Sequence, residues 1–291
     1  MVKVVLGIAL IMVVVGVLIG AVGAALFGTD PFIPLPEVHL APEAVFHVGG
    51  FAVTNTLLSA WLTTIVVVLL FGLGSRKAAI IPGRFQGIIE MFLEFLYNYV
   101  KGVAGERYAK TFFPILATIF IFVAFNAWMA LLPIYPTVGF MAEGHDTVTT
   151  HLLRSAGTDI NMPLSIALVS FLFFEVWGFK VHRFGYLKEF FRGPNPLETF
   201  IGLIEFLSHF IRVISFTFRL FGNMLAGEIV LFMMTFLTVF MVPVLFYALE
   251  LLVGGVQALI FMGLTLVFAV MAVATHGEHE QHEEHSEAGA H

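Results

Sequence analysis

The chain has 291 residues, is 59% hydrophobic and only 12% charged, and has a mean hydropathy of +0.97. A soluble globular chain is about half apolar and about a quarter charged, so this composition leaves too little polar surface for a water-soluble body and points to an integral membrane protein. The absence of Cys excludes disulfides, thiolate catalysis and Cys-ligated metals. The formal charge of −6 overstates the acidity: five of the 20 acids lie in the last sixteen residues, leaving 15 against 14 Lys and Arg, with no basic excess for nucleic acid.

A helix needs roughly 20 apolar residues to cross a bilayer. Val4–Phe27 is the first candidate. It has the outline of a signal peptide, with Lys3 as a thin n-region and Ala21-Val22-Gly23 as a cleavage-like site. Its apolar run is long for an h-region, which favours an uncleaved anchor over residues 1–28. Gly16 and Gly20 form a GxxxG, which packs helices in some membranes; with 27 Gly in the chain, chance is the plainer reading.

Thr56–Leu73 is the second span. Between Arg84 and Lys101, the residues Ile88, Met91, Phe92, Phe95, Leu96 and Tyr99 alternate with Glu90, Glu94 and Asn98 at helical spacing. That pattern predicts an amphipathic helix lying in the interface. Phe112–Leu132 and Pro163–Phe179 are the third and fourth spans. Orientation follows from Lys and Arg: eleven lie on the side of Lys3, the Arg76–Lys110 segment and the Lys180–Arg192 segment, and Arg154 lies alone opposite, so the first group faces the cytoplasm.

From about Leu197 to Ala274 the chain is almost continuously apolar. Pro196 to Pro243 would make one helix of about 70 Å at a rise of ~1.5 Å per residue, against a hydrocarbon layer of ~30 Å. It must tilt steeply, run partly along the interface, or break. Pro243 predicts a turn, and a second helix from about Val244 to Thr275 then returns. The expected fold is therefore an all-α integral membrane protein: about six hydrophobic helices, a long, steeply tilted C-terminal hairpin and one interfacial helix.

An ionisable group deep in a membrane helix costs about 3 kcal/mol and marks function by default. The hairpin carries Glu198, Glu205, His209, Arg212, Arg219, Asn223, Glu228, Glu250 and Gln257. Mutual neutralisation in a packed bundle is the competing explanation for any one of them. At about 100° per residue, Glu205, Arg212, Ser215 and Asn223 all fall within about 40° of Arg219, whereas Glu228 falls about 180° away. Glu250 and Gln257, seven apart, share a face of the return helix. One polar route thus reaches the middle from the cytoplasm, another from outside on a different face, with a fixed positive charge between them. Offset routes suit transport through a moving intermediary.

At these residues a resemblance becomes specific. Ser215-Phe-Thr-Phe-Arg219-Leu-Phe-Gly-Asn223-Met-Leu-Ala-Gly-Glu228 resembles the signature of subunit a of the F-type ATP synthase, and Gln257-Ala-Leu-Ile-Phe-Met resembles its last helix. Pro82-Gly-Arg-Phe-Gln86 with Glu90, Asn126 with Leu132-Pro133, and Thr158-Asp159-Ile-Asn161 extend the likeness over about Phe51 to Thr275. The resemblance implies a non-catalytic stator subunit that offers two offset proton half-channels to a ring of c subunits, beside subunit b and the rest of the complex. It implies a multi-pass protein of an energy-transducing membrane, most simply a bacterial inner membrane, with residues 29–275 as the membrane domain and no cofactor. It makes Arg219 the arginine facing the ring carboxylate, with Asn223 and Gln257 as polar neighbours. It places Glu228 and Glu250 in the outer half-channel, Glu205 on the cytoplasmic side, and Ser215, Asp159 and Asn161 among the path-forming positions. In many relatives the outer pair is one His and one Glu; here both are Glu, and two nearby carboxylates tend to share one proton.

The tail, residues 276–291, has His at every third position from His276 to His285. Neutral imidazoles there have the means to bind Zn²⁺ or Ni²⁺, but a solvated acidic end is the plainer reading. No HExxH and no P-loop occurs. Two further classes compete with the stator. A self-contained ion-coupled secondary transporter would carry internal repeats and broken helices. An intramembrane enzyme would need a nucleophile–base or metal constellation.

Overall fold

The computed structural model describes residues 2–30, 32–33, 41–75, 82–135, 137–141, 148–182, 196–239 and 241–274. Seven helices account for most of them: α1 (Val2–Ile19), α2 (Ala21–Phe27), α3 (Asn55–Ser75), α4 (Arg84–Ala130), α5 (Asn161–His182), α6 (Pro196–Leu237) and α7 (Met241–Ala274). Five of these are long and apolar enough to cross a membrane, and α1 with α2 makes a sixth if the bent pair counts as one span. Two short antiparallel hairpins sit in connecting segments: β1 (Ala44–Val48) with β2 (Phe51–Thr54), and β3 (Gly139–Met141) with β4 (Val148–His151).

Four expectations change. The first span is not one helix: Gly20 takes an extended backbone conformation, which interrupts the hydrogen-bond ladder, and the two segments bend by 60°. The GxxxG is used. A Cβ on Gly16 would lie 1.9 Å from the Val239 carbonyl oxygen, one on Gly20 would lie 2.3 Å from that of Leu237, and the Val239 N–H donates to the Gly16 carbonyl at 3.0 Å. The interfacial helix and the third span form one run, α4, kinked at Gly105 with φ 72° and ψ 170°. Only glycine adopts that left-handed, extended combination without steric penalty, so the chain changes direction there without a loop. Finally, the break between α6 and α7 comes before Pro243: α6 ends at Leu237 and α7 begins at Met241. Pro243 is the third residue of α7, where the N–H that proline lacks would have had no helical partner.

The described chain divides into two compact units. The first contains Met1–Ile65, Val123–Asp159 and Leu220–Gln257. Its inner side is polar: Asn55, Thr56, Ser59 and Thr63 on α3 are all buried. Asn55 Nδ2 donates to the His151 carbonyl at 3.3 Å, and Ser59 Oγ accepts the Arg154 N–H at 3.1 Å. These bonds seat the segment before α5 on the start of α3. Trp128 Nε1 donates to the Leu251 carbonyl at 3.0 Å, tying α4 to α7.

The second unit contains Val66–Phe122, Ile160–Arg219 and Ala258–His291. Its core is aromatic. Phe112 on α4 meets Phe173 and Trp177 on α5 edge-on at 5.4 and 5.3 Å, and Phe216 on α6 meets Phe261 on α7 at 5.0 Å. Such pairs add about 0.5–1.5 kcal/mol beyond area burial. The Ser170 and Thr265 hydroxyls, 3.2 Å apart, join α5 to α7 by a polar contact of the kind that holds helices in lipid. Outward from this core, α6 shows Phe206, Ile211, Ile214 and Phe218 to the surroundings. An apolar outer face of this extent belongs in lipid or against another apolar body.

At 42 and 34 residues, α6 and α7 are about 63 and 51 Å long. They run antiparallel: in the first unit Gly227 meets Glu250, and in the second Phe216 meets Phe261 and Arg212 lies over Phe268. The expected helical hairpin is present.

Candidate functional site

Helix α6 carries the singled-out residues on several faces. Ser215 and Arg219 are exposed, together with Ile211, Ile214, Phe218 and Gly222. Arg219 therefore stands on an uncovered, mainly apolar face, and it makes no ion pair among the described residues. Arg212 does not join it. Its guanidinium lies 4.5 Å from the centre of the Phe268 ring, directed inward against α7. The expected single polar stripe is thus divided, not by backbone phase, which differs by only about 20° between the two arginines, but because the long Arg212 side chain folds back over Phe268. Glu205 is on α6, but its side chain lies outside the described residues.

In the first unit, α6 borders a cavity of about 150 Å³. Glu228 and Glu250 both line it, with Glu43, Asn55, His151 and Arg154. Glu228 Oε1 lies 3.5 Å from Arg154 Nε, and the two side chains are only 18% and 11% exposed. Arg154 is itself fixed, through Nη1, on the Ala41 carbonyl at 3.2 Å. Glu250 rests against Gly227: a Cβ there would lie 2.1 Å from its Oε1. The glycine is what admits the Glu250 carboxylate beside the backbone next to Glu228.

Four buried polar atoms around this cavity have no hydrogen-bond partner among the described residues: Glu43 Oε2, Asn55 Oδ1, His151 Nδ1 and Glu228 Oε2. Buried polar atoms are normally satisfied, and a cavity of this size, with these polar atoms on a largely apolar wall, has room for water molecules, each needing two to four such partners. The arrangement is suited to passing protons between water and two carboxylates. Asn223 and Gln257, in the same unit, each have a buried side-chain nitrogen without a partner among the described residues, and Gln257 is almost wholly buried.

Asp159 and Asn161 do not line the cavity. Asp159 Oδ2 accepts the Thr56 hydroxyl at 2.9 Å, a buried tie between the start of α3 and the end of the α4–α5 connection. Asn161 is the first residue of α5.

Residues 57–270 match the profile of the ATP synthase A chain family. The chain belongs to that family. It is similar to the ATP synthase subunit a of Gloeobacter violaceus, 30% identical, with 87% of this chain and 96% of that protein covered. It is 33% identical to the Parvibaculum lavamentivorans subunit a over 83% of this chain and 93% of that protein. For the Rhodobacter capsulatus subunit a the identity is 31%, over 78% and 94%. The ATP synthase A chain family is a multi-pass, all-helical membrane family, and the match favours the stator class over a self-contained transporter. The helix pair α1 and α2 lies outside the matched residues.

Arg154, His151, Glu43 and Asn55 were not foreseen as site residues. Arg154 carried one signal in the sequence, as the lone cation among the outer connections. Glu175 carried another, as the only acid within the apolar sequence of α5, where it pairs with His209 on α6.

Proposed function

We propose that this chain is the stationary half of a rotary proton path, which faces a ring of c subunits, is held by subunit b, and leaves nucleotide chemistry to other subunits. In this reading the cavity of Glu228 and Glu250 is the outer half-channel. Glu205, whose side chain is not described, belongs to the cytoplasmic route. Arg219 divides the two, with Asn223 and Gln257 as its polar neighbours and Ser215 on the ring-facing surface.

The single observation that carries the reading is the contrast between Arg219 and Glu228. Nine residues apart in the chain, Arg219 is exposed while Glu228 lines the cavity with Glu250 and Arg154. A ring carboxylate passing into lipid must be protonated, since an unpaired carboxylate there is very costly. Opposite Arg219 it has a counter-charge and gives its proton up. The guanidinium stays charged at working pH, so it cannot relay a proton and blocks a direct leak between the two routes.

Cross-linking tests the placement. The chain has no native Cys, so Ser215→Cys and Glu228→Cys report cleanly against cysteines on the ring helix. The expected result is efficient cross-linking at 215 and little at 228, in a complex that co-purifies with a small two-helix proteolipid in many copies. Preferential cross-linking at 228, or absence of such a proteolipid, contradicts the reading.

A further inference from the structure

The proton path as described uses no group in the cytoplasmic half other than Glu205. Yet the second unit holds a buried acid–base pair. His209 Nδ1 on α6 is hydrogen-bonded to Glu175 Oε1 on α5, and their side chains are 11% and 13% exposed. The rings of Phe171 and Phe174 lie about 6.5 Å and 6.4 Å from the imidazole. The other ionisable groups on these two helices within the unit are Glu198, Glu205, Arg212 and Arg219 on α6, and on α5 Lys180, which sits over Trp177, and His182. The residues of α7 in this unit, 258–274, contain none. From α4, Phe112 reaches Phe173 and Trp177 on α5.

Helical geometry places the pair on the route. His209 is one turn inward from Glu205, about 6 Å along α6 and rotated by about 40°. It lies about 15 Å before Arg219 along the same helix. On α5, Glu175 is within two turns of the Lys180–His182 end, the cytoplasmic end by charge distribution.

We propose that His209 and Glu175 form a proton-exchange station in the cytoplasmic half of the path. In one state a neutral imidazole donates its Nδ1–H to the Glu175 carboxylate. In the other, Nε2 has taken a proton from a hydronium on the route, forming an N–H bond as the O–H bond breaks. The carboxylate then supplies the counter-charge that an imidazolium needs away from water. Release to a water on the cytoplasmic side restores the first state. Such a pair lets a proton dwell between Glu205 and the ring without a bare charge in an apolar setting.

The proposal rests on the stator reading, and the test separates the two. Assembled complexes carrying His209→Gln, Glu175→Gln, the double variant His209→Leu/Glu175→Leu, the exchanged pair Glu175→His/His209→Glu, or Arg219→Ala are reconstituted in vesicles, and proton flux is measured. The Gln variants are expected to lose flux severalfold, toward the ~10²-fold that a positioned proton-transfer group commonly contributes. The double Leu variant should assemble, because apolar replacement of a buried pair is often tolerated, yet stay as slow as the Gln variants. Wild-type flux in the double Leu or Gln variants makes the pair a helix staple and overturns the proposal. If the double Leu variant fails to assemble, the exchanged pair decides: most of the flux retained supports the station, and a loss as deep as in the Gln variants overturns it. Arg219→Ala with intact coupled transport would instead remove the stator reading.

Discussion

Arg154 and Glu228 form an ion pair, 3.5 Å from Nε to Oε1, between the segment that precedes α5 and the inner side of α6. The two residues are 74 positions apart in the chain, and the pair orients the Glu228 carboxylate at the cavity. Arg154→Gln should leave that carboxylate without its cation, at a cost on the order of 1–3 kcal/mol for a buried charged group losing its partner. The expected outcome is slower proton entry from the outer side, with no rise in passive leak, because Arg219 is untouched. Flux measured in vesicles from each side checks this; an unchanged outer-side rate would show the pair to be structural only.

Gly227 offers a subtler probe. A Cβ there would collide with the Glu250 carboxylate, which is the mobile end of a side chain and not backbone. Gly227→Ala should therefore fold and assemble, yet re-aim Glu250. Flux should fall as it does in Glu250→Leu. Wild-type flux in Gly227→Ala would mean that the Glu250 position is not critical.

The carboxylates themselves are tested by Glu228→Gln, which keeps size and hydrogen bonding but not titration, and by Glu250→Leu. Both should lower ATP synthesis without raising leak, and Glu250→His should keep more activity than Glu250→Leu. Unchanged flux and pH profile in both Glu228→Gln and Glu250→Leu would place the outer route elsewhere.

The amino-terminal helices make a separate prediction. Gly16 has no room for a side chain against the Val239 backbone. Gly16→Leu should release α1 and α2 from the 237–239 segment, which faster hydrogen exchange of the Val239 amide, bonded to the Gly16 carbonyl in the wild type, would report. Mass spectrometry of the assembled subunit should find residues 1–28 retained. The tail from His276 to His291 lies outside the described residues, and its removal should leave assembly and pumping near wild type.

The hairpin and most of the spans were legible in the sequence, because helical period and apolar length act over short stretches that can be counted. The kink at Gly105 was not, since a single glycine gives no sign that its φ is positive. Pro243 misled for a local reason: proline marks both the end of one helix and the first turn of the next. His151 and Glu43 were illegible as site residues, and Arg154 showed only as a lone outer cation, because only tertiary packing brings their segments to Glu228. Glu175 was visible as an acid in an apolar run, but its partner His209 lies 34 residues on.

Arg219 carries the central claim, since it is the one cation on the uncovered face of α6. The most direct measurement is proton-driven ATP synthesis by an assembled Arg219→Ala complex in vesicles, with subunit content checked on the same sample. The expected result is complete loss of synthesis with assembly intact, and no recovery to wild-type coupling in Arg219→Lys, because a lysine ammonium loses its proton readily when buried. Near-normal synthesis in the assembled Arg219→Ala complex would contradict the division of the path at this residue.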